Sequence, residues 1–261
     1  MSLDGVSITY TVGDIDLYGL TDKSHEMSID RFRGSYNDSL LSILMPDGAL
    51  PAAINAFLAI DSAHTVLFDA GLGAAGNGTL TEKLSKVSVA PEDIDAVCLT
   101  HLHSDHIGGL LYDGQPVFPN ATLYLSQQEY DAWSDRGVCA ARNTLWKEVL
   151  KAYADHIVTF EDSALLCDGL VTVHLTPGHT PGHTVYEVGN GICYIVGDLL
   201  HAQDLQLDYP NFSADYDMYP AQATAARQST LNLIRERGSL MAGAHCYDHF
   251  ISLGDRDGTH L

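Results

Sequence analysis

The sequence predicts an α/β fold, and three observations predict it. Short apolar, β-rich segments recur along the 261 residues, turn residues separate them, and helical segments with readable ends lie between. The first strand is expected at 39–45, closed by Pro46, Asp47 and Gly48. Others follow at 55–60, 65–68, 95–99, 122–125, 170–175, 185–188 and 192–196, with Gly189, Asn190 and Gly191 turning the chain between the last two. Thr79 with Glu82, and Ser126 with Glu129, have the capping-box spacing that satisfies the free amides of a first helical turn. Leu145, Trp146, Val149, Leu150 and Tyr153 mark one apolar helical face. Residues 220–237 read as a helix opened by Pro220, basic in its last turn and closed by Gly238. No linker-like stretch divides the chain, so 1–261 reads as one domain. Residues 1–38 are of uncertain structure: 11–38 is polar and Gly-containing, and is expected as a loop over a cleft or towards a second subunit of a homodimer.

Composition narrows the function classes. The formal net charge is −21, with 34 acidic residues against 13 lysines and arginines. Such a surface repels polyanions, so nucleic acid is excluded as a partner and a small-molecule substrate is expected. No apolar run approaches the roughly 18 residues of a membrane span, and no secretory signal is visible. The cysteines at 98, 139, 167, 193 and 246 are odd in number without CxxC spacing, which suits reduced thiols in a cytoplasm.

The chemistry is concentrated in Leu99-Thr-His-Leu-His-Ser-Asp-His-Ile-Gly-Gly109, which places His101, His103, Asp105 and His106 within six residues. Imidazole and carboxylate are ligands that divalent transition metals prefer. On a straight strand Asp105 and His106 would diverge, so the four converge only in a loop at a strand end, which the apolar segment before Thr100 supplies. Downstream, Thr176-Pro-Gly-His-Thr-Pro-Gly-His-Thr184 holds His179 and His183 in a turn. Ile195-Val-Gly-Asp198 ends a strand on a carboxylate, and Leu240-Met-Ala-Gly-Ala-His245 ends another on a histidine.

In this order and spacing, across roughly residues 40 to 250, the chain resembles the metallo-β-lactamase superfamily. The resemblance implies a four-layer αββα sandwich with a metal cleft along one edge. It also implies that His101, His103 and His179 bind one metal, that Asp105, His106 and His245 bind a second, and that Asp198 bridges them. Seven N and O ligands exceed what one tetrahedral zinc uses, which also argues for two divalent ions. Zinc is the expected metal, with manganese, iron and cobalt compatible with a donor set that lacks thiolate. His183 is then expected to support the ligands from behind. Asp69, ending the strand at 65–68, either does the same or forms a plain turn before Gly71.

The reaction so implied is hydrolysis of a small-molecule ester, lactone or phosphotriester by metal-bound hydroxide, with Asp105 and His201 as catalytic candidates. Cys does not stand at position 198, unlike one subclass of zinc β-lactamases, and the basic C-terminal extension of glyoxalase II enzymes is missing. The chain looks closest to the acyl-homoserine-lactone lactonases and the methyl-parathion-hydrolase-like enzymes. Many lactonases carry Tyr three residues beyond the bridging Asp; His201 stands there instead, either stabilising an oxyanion or donating a proton, or simply propping the ligands. Trp133 and the aromatic loop 208–219 are candidates to line the cleft, or to serve as core and as a clamp on the following helix. Two alternatives complete the set: a mononuclear iron enzyme resembling persulfide dioxygenases, and a relative that binds metal or ligand without turnover.

Overall fold

The computed structural model describes residues 6–34, 45, 48–142 and 144–254. The strand expected at 39–45 falls, apart from Met45, outside the described residues. Seven strands form one sheet in chain order: β1 (Val6–Val12), β2 (Ile15–Met27), β3 (Leu50–Ile60), β4 (Thr65–Phe68), β5 (Ala96–Cys98), β6 (Thr122–Ser126) and β7 (Ile157–Phe160). The first four run antiparallel and the last four parallel, β4 belonging to both sets. Six more form the second sheet, again in chain order: β8 (Leu165–Leu166), β9 (Val171–Leu175), β10 (Thr184–Val188), β11 (Cys193–Gly197), β12 (Leu240–Gly243) and β13 (Ile251–Ser252). Only β11 and β12 are parallel there.

Alternation along the strands sorts the core into layers, since neighbours in a strand face opposite sides. Val66 and Phe68 of β4 pack with Tyr186 of β10 and Ile195 of β11 between the sheets. Leu67, turned the other way, packs with Leu84 of α1 (Leu80–Lys86) and with Trp146 and Val149 of α4 (Thr144–Ala152). On the far side Val185, Tyr194 and Val196 pack with Leu231 and Ile234 of α6 (Pro220–Arg237). The result is the expected αββα sandwich. The short helices α2 (Ser104–Ile107), α3 (Gln127–Ala132) and α5 (Gln203–Asp208) sit beside the carboxyl ends of the strands.

Three elements differ from expectation. In the polar segment 11–38 the described residues are not one loop: they carry β2, a 13-residue strand paired along its length with β3. Its polar residues hid it, because they are satisfied by partners far off in sequence. One of them, Asp22, is nearly buried and accepts hydrogen bonds from the amides of Leu72 (2.8 Å), Thr79 and Leu80 (2.7 Å), so this carboxylate caps α1. The expected Thr79 cap does not form. The box at Ser126 forms by half: Ser126 Oγ accepts from the Glu129 amide at 3.0 Å, but Glu129 turns into the protein. Its carboxylate accepts from Trp133 Nε1 (2.7 Å), Gly182 N (2.8 Å) and Leu102 N (3.2 Å). It thereby ties the histidine loop after β5 to the Pro/Gly turn between β9 and β10. Gly182 permits this approach, since a Cβ there would stand 2.1 Å from the Glu129 amide.

Candidate metal centre

Every chemistry-bearing segment found in the sequence lies at a strand end on one edge of the sandwich, where loops on a rigid scaffold carry function. Asp69 follows β4, His101 to His106 follow β5, His179 lies in the turn before β10, Asp198 follows β11 and His245 follows β12.

The structure brings all seven sequence-predicted ligands together, in two sets. His101 Nε2 and His179 Nε2 each lie 2.9 Å from His103 Nδ1, and Asp198 Oδ2 stands 3.1 Å from His179 Nε2 and 3.7 Å from His101 Nε2. On the other side Asp198 Oδ1 is 3.0 Å from His106 Nε2 and 3.2 Å from His245 Nε2. Asp105 Oδ2 closes this set at 3.6 Å from His245 Nε2 and 3.9 Å from His106 Nε2. Both sets have a spacing that could hold a metal ion.

The outward nitrogens determine which way the lone pairs point. His245 Nδ1 donates to the Ala53 carbonyl (2.9 Å), His106 Nδ1 to Asp69 Oδ2 (2.7 Å) and His179 Nδ1 to Asp217 Oδ1 (3.1 Å). Thr100 Oγ1 donates to Asp69 Oδ2 (2.8 Å), so it accepts from His101 Nδ1 (3.1 Å). Each of these rings is left with a bare Nε2 facing inward, the tautomer a ligand needs. His103 Nδ1 can share a proton with only one of the two nitrogens 2.9 Å from it, and buried His106 Nε2 and Asp198 Oδ1 have no hydrogen-bond partner among the described residues. Groups so arranged fit divalent cations and little else.

Charge agrees with geometry. Burial pushes the Asp198 carboxyl upward, yet the imidazoles of His245, His106, His101 and His179 outweigh it and hold the group well below the usual carboxylate range. Without an ion His179 is raised to about 9, because Asp198 and Asp217 outweigh its own burial; the proton so held occupies the place that a cation would take. Burial and neighbouring imidazoles push His103 down to about 3.

Supporting residues divide into those anticipated and those missed. His183 lies behind Asp198: its Nε2 accepts the Asp198 N–H at 3.1 Å, and its Nδ1 bonds to Thr176 Oγ1 at 2.9 Å. Gly197 makes room for this, with φ of +51° and a virtual Cβ only 2.8 Å from that nitrogen. Asp69 orients His106 and also accepts from the Thr100 amide at 2.8 Å, so it is more than a turn former. His201 stacks on His245 (5.2 Å, 15°) and lies against Tyr216 (5.4 Å), with Nε2 3.2 Å from Asp198 Oδ2; distance alone admits it as a further metal donor. Burial pushes it down to about 4, so the ring is neutral. Asp217 was not anticipated, though the loop that carries it was. His25, equally unanticipated, stands edge-on to His245 at 6.2 Å; its strand was itself hidden.

A cavity of about 410 Å3 opens from these groups. Met27, Ile54, Leu102, Ile107, Trp133 and Leu145 give it apolar walls, with His25, His201 and Tyr216 near the centre. Trp133 is thus both core and wall, 3% exposed and 5.6 Å from the His103 ring. Among the described residues no helix is long and apolar enough to cross a membrane.

An αββα sandwich that gathers histidines and aspartates at one edge of its sheets is the arrangement of a metal-dependent hydrolase. The comparisons agree: residues 49–245 match the metallo-beta-lactamase superfamily, and the chain belongs to that family. It is 29% identical over 157 residues to probable metallo-hydrolase YqgX of Bacillus subtilis, spanning 60% of this chain and 69% of that one. To the N-acyl homoserine lactonase AttM of Agrobacterium fabrum it is 28% identical over 117 residues, 41% of this chain and only 40% of AttM. Among solved structures, the hydrolase AbOPH superposes with a TM-score of 0.85 at 26% identity, covering 97% of this chain and 94% of the other.

Proposed function

We propose that the protein is a dinuclear metal-dependent hydrolase of a small-molecule ester, lactone or phosphotriester. The observation that carries this reading is Asp198, whose two carboxylate oxygens face two separate sets of donors. His101, His103 and His179 would hold one ion, Asp105, His106 and His245 the other, and Asp198 would bridge them. Two divalent cations in such a site supply Lewis acidity, acidifying water and stabilising charge on the substrate oxygen. Zinc suits the donors, and manganese, iron and cobalt are compatible with them.

The chain's own residues do the rest. Asp69, Asp217, Thr100 and the Ala53 carbonyl keep each imidazole bare on its inner side. Apolar walls exclude water and seat an uncharged part of the substrate. His201, neutral and beside Asp198, is placed to donate an N–H to an oxygen that gains charge in the transition state. The likeness to AttM supports a lactone or simple ester, and the net charge of −21 argues against polyanions.

Elemental analysis of protein purified without chelator is expected to find about two metals per chain, with turnover of some member of a panel of lactones, aryl esters and phosphotriesters. Full activity with a single metal after exhaustive repletion would remove the dinuclear reading. A panel left wholly intact, together with iron and thiol-dependent oxygen uptake, would replace hydrolysis with redox chemistry.

Single substitutions separate the roles. His179→Ala is expected to lose metal, whereas His183→Ala should keep most of it, because His183 reaches Asp198 only through the backbone amide. The reverse result would mean that the two histidines exchange roles on metal binding. His201→Ala is expected to lower kcat about 10²-fold on esters with poor leaving groups, with metal content unchanged. Loss of metal instead would make His201 a ligand, and an unaltered rate would make it a prop.

A further inference from the structure

Away from the candidate metal centre the cavity walls are largely apolar, and one of them carries a cation. Among the described residues that line it, Arg142 is the only lysine or arginine, and its guanidinium makes no hydrogen bond or ion pair with any described residue. It ends the short turn Ala140–Arg142, just before α4. Four residues on, Trp146 also lines the cavity; it is 1% exposed, and its buried indole N–H has no partner among the described residues. This wall therefore offers a cation, while the carboxylates of the lining, Asp105 and Asp198, both belong to the candidate metal centre. Three other arginines, by comparison, are neutralised by carboxylates. Arg33 pairs with Asp215, Arg227 with Asp217 and Arg237 with Glu187, as expected in a chain carrying −21.

A bare guanidinium beside an apolar wall is matched by a ligand with an apolar stem and an anionic end. Charge-assisted and bidentate hydrogen bonds make carboxylate the group it reads best. We propose that Arg142 selects the substrate by its far end, so that the preferred ester or lactone carries a carboxylate at the end of an apolar arm. This rests on the hydrolase reading above and refines it: the body of the substrate is uncharged and its distal end is not.

The test uses metal-replete enzyme and mono-4-nitrophenyl esters of linear dicarboxylic acids, from succinate to sebacate, each paired with its methyl-capped diester. At the length that spans the cavity, kcat/KM for the free acid is expected to exceed that of the capped ester by about tenfold or more. Arg142→Gln should bring this ratio to about one, and Arg142→Lys should retain part of it. Both substrates are measured on the same protein, so a general loss of fold or metal cancels in the ratio. Tryptophan fluorescence titrations with hexanoate and hexanamide supply a readout without turnover. Wild type should prefer the carboxylate and Arg142→Gln should not, whereas a carboxylate seated on the metals would bind both proteins alike.

A ratio near one in the wild type, or one that survives Arg142→Gln, overturns the assignment while hydrolysis stands; the guanidinium then faces solvent and only its stem covers the wall. Absence of turnover with an Arg142-dependent binding preference overturns hydrolysis and keeps the anion site. Absence of both overturns the two together.

Discussion

Asp198→Ala is expected to lower turnover by about 10³-fold or more and to reduce bound metal in the same preparation. Its two oxygens face both proposed donor sets, and the carboxylate supplies negative charge to a cluster otherwise made of five imidazoles and Asp105. Without it two divalent cations in the proposed site would repel each other unscreened, and neither set would keep a fourth donor. The measurement pairs elemental analysis with kcat on the best substrate of the panel. Asp198→Asn separates charge from shape: it keeps the oxygen facing one set and loses the charge, so an intermediate metal content is expected. Wild-type occupancy and rate in Asp198→Ala would remove the shared-carboxylate mechanism.

The largest stability effect is expected at Arg227. This residue of α6 is fully buried, and its guanidinium donates to the carbonyls of Leu199 (2.6 Å), Pro210 (2.9 Å) and Phe212 (2.7 Å), with Nη2 3.4 Å from Asp217 Oδ2. One side chain thus holds the whole excursion between β11 and α6, which carries His201, Tyr216 and Asp217. Arg227→Met keeps much of the volume but strands a buried carboxylate and several carbonyls, so a loss of about 3–5 kcal/mol is expected. For a chain of this size that corresponds to a fall in melting temperature of roughly 10 °C. Because Asp217 orients His179, metal affinity should fall with it, even well below the melting transition. An unchanged melting temperature would show that water or rearrangement replaces those hydrogen bonds.

The two predictions fall on opposite sides of what a sequence makes readable. Asp198 is legible because the signal is local: a strand pattern in 192–196 ends on a carboxylate, in order with three other histidine-bearing segments. Arg227 is not legible, since an arginine in a polar helix opened by Pro220 and closed by Gly238 reads as solvent-facing. That helix was placed by its ends, which are local chemistry, while the burial of its arginine is set by a loop that wraps it. The same division runs through the caps. Ser126 was recognised from its spacing to Glu129, but the destination of the Glu129 carboxylate, on Leu102 and Gly182, joins segments far apart in the chain.

The sequence by itself determined the seven clustered donors, their division into two sets through the family resemblance, and the layered α/β architecture. These follow from periodicity, turn chemistry and ligand spacing, each of which acts over a few residues. Tertiary structure alone decided that 15–27 is a strand, that Asp22 caps α1, that Asp217 rather than a nearer residue orients His179, and that His25 and Arg142 reach the cavity. The sequence separations of 38 residues for His179 and Asp217, and of 192 for His245 and Ala53, give the reason. A hydrogen bond of that span is chosen by how sheets and helices pack, and a short window of residues carries no trace of its partner.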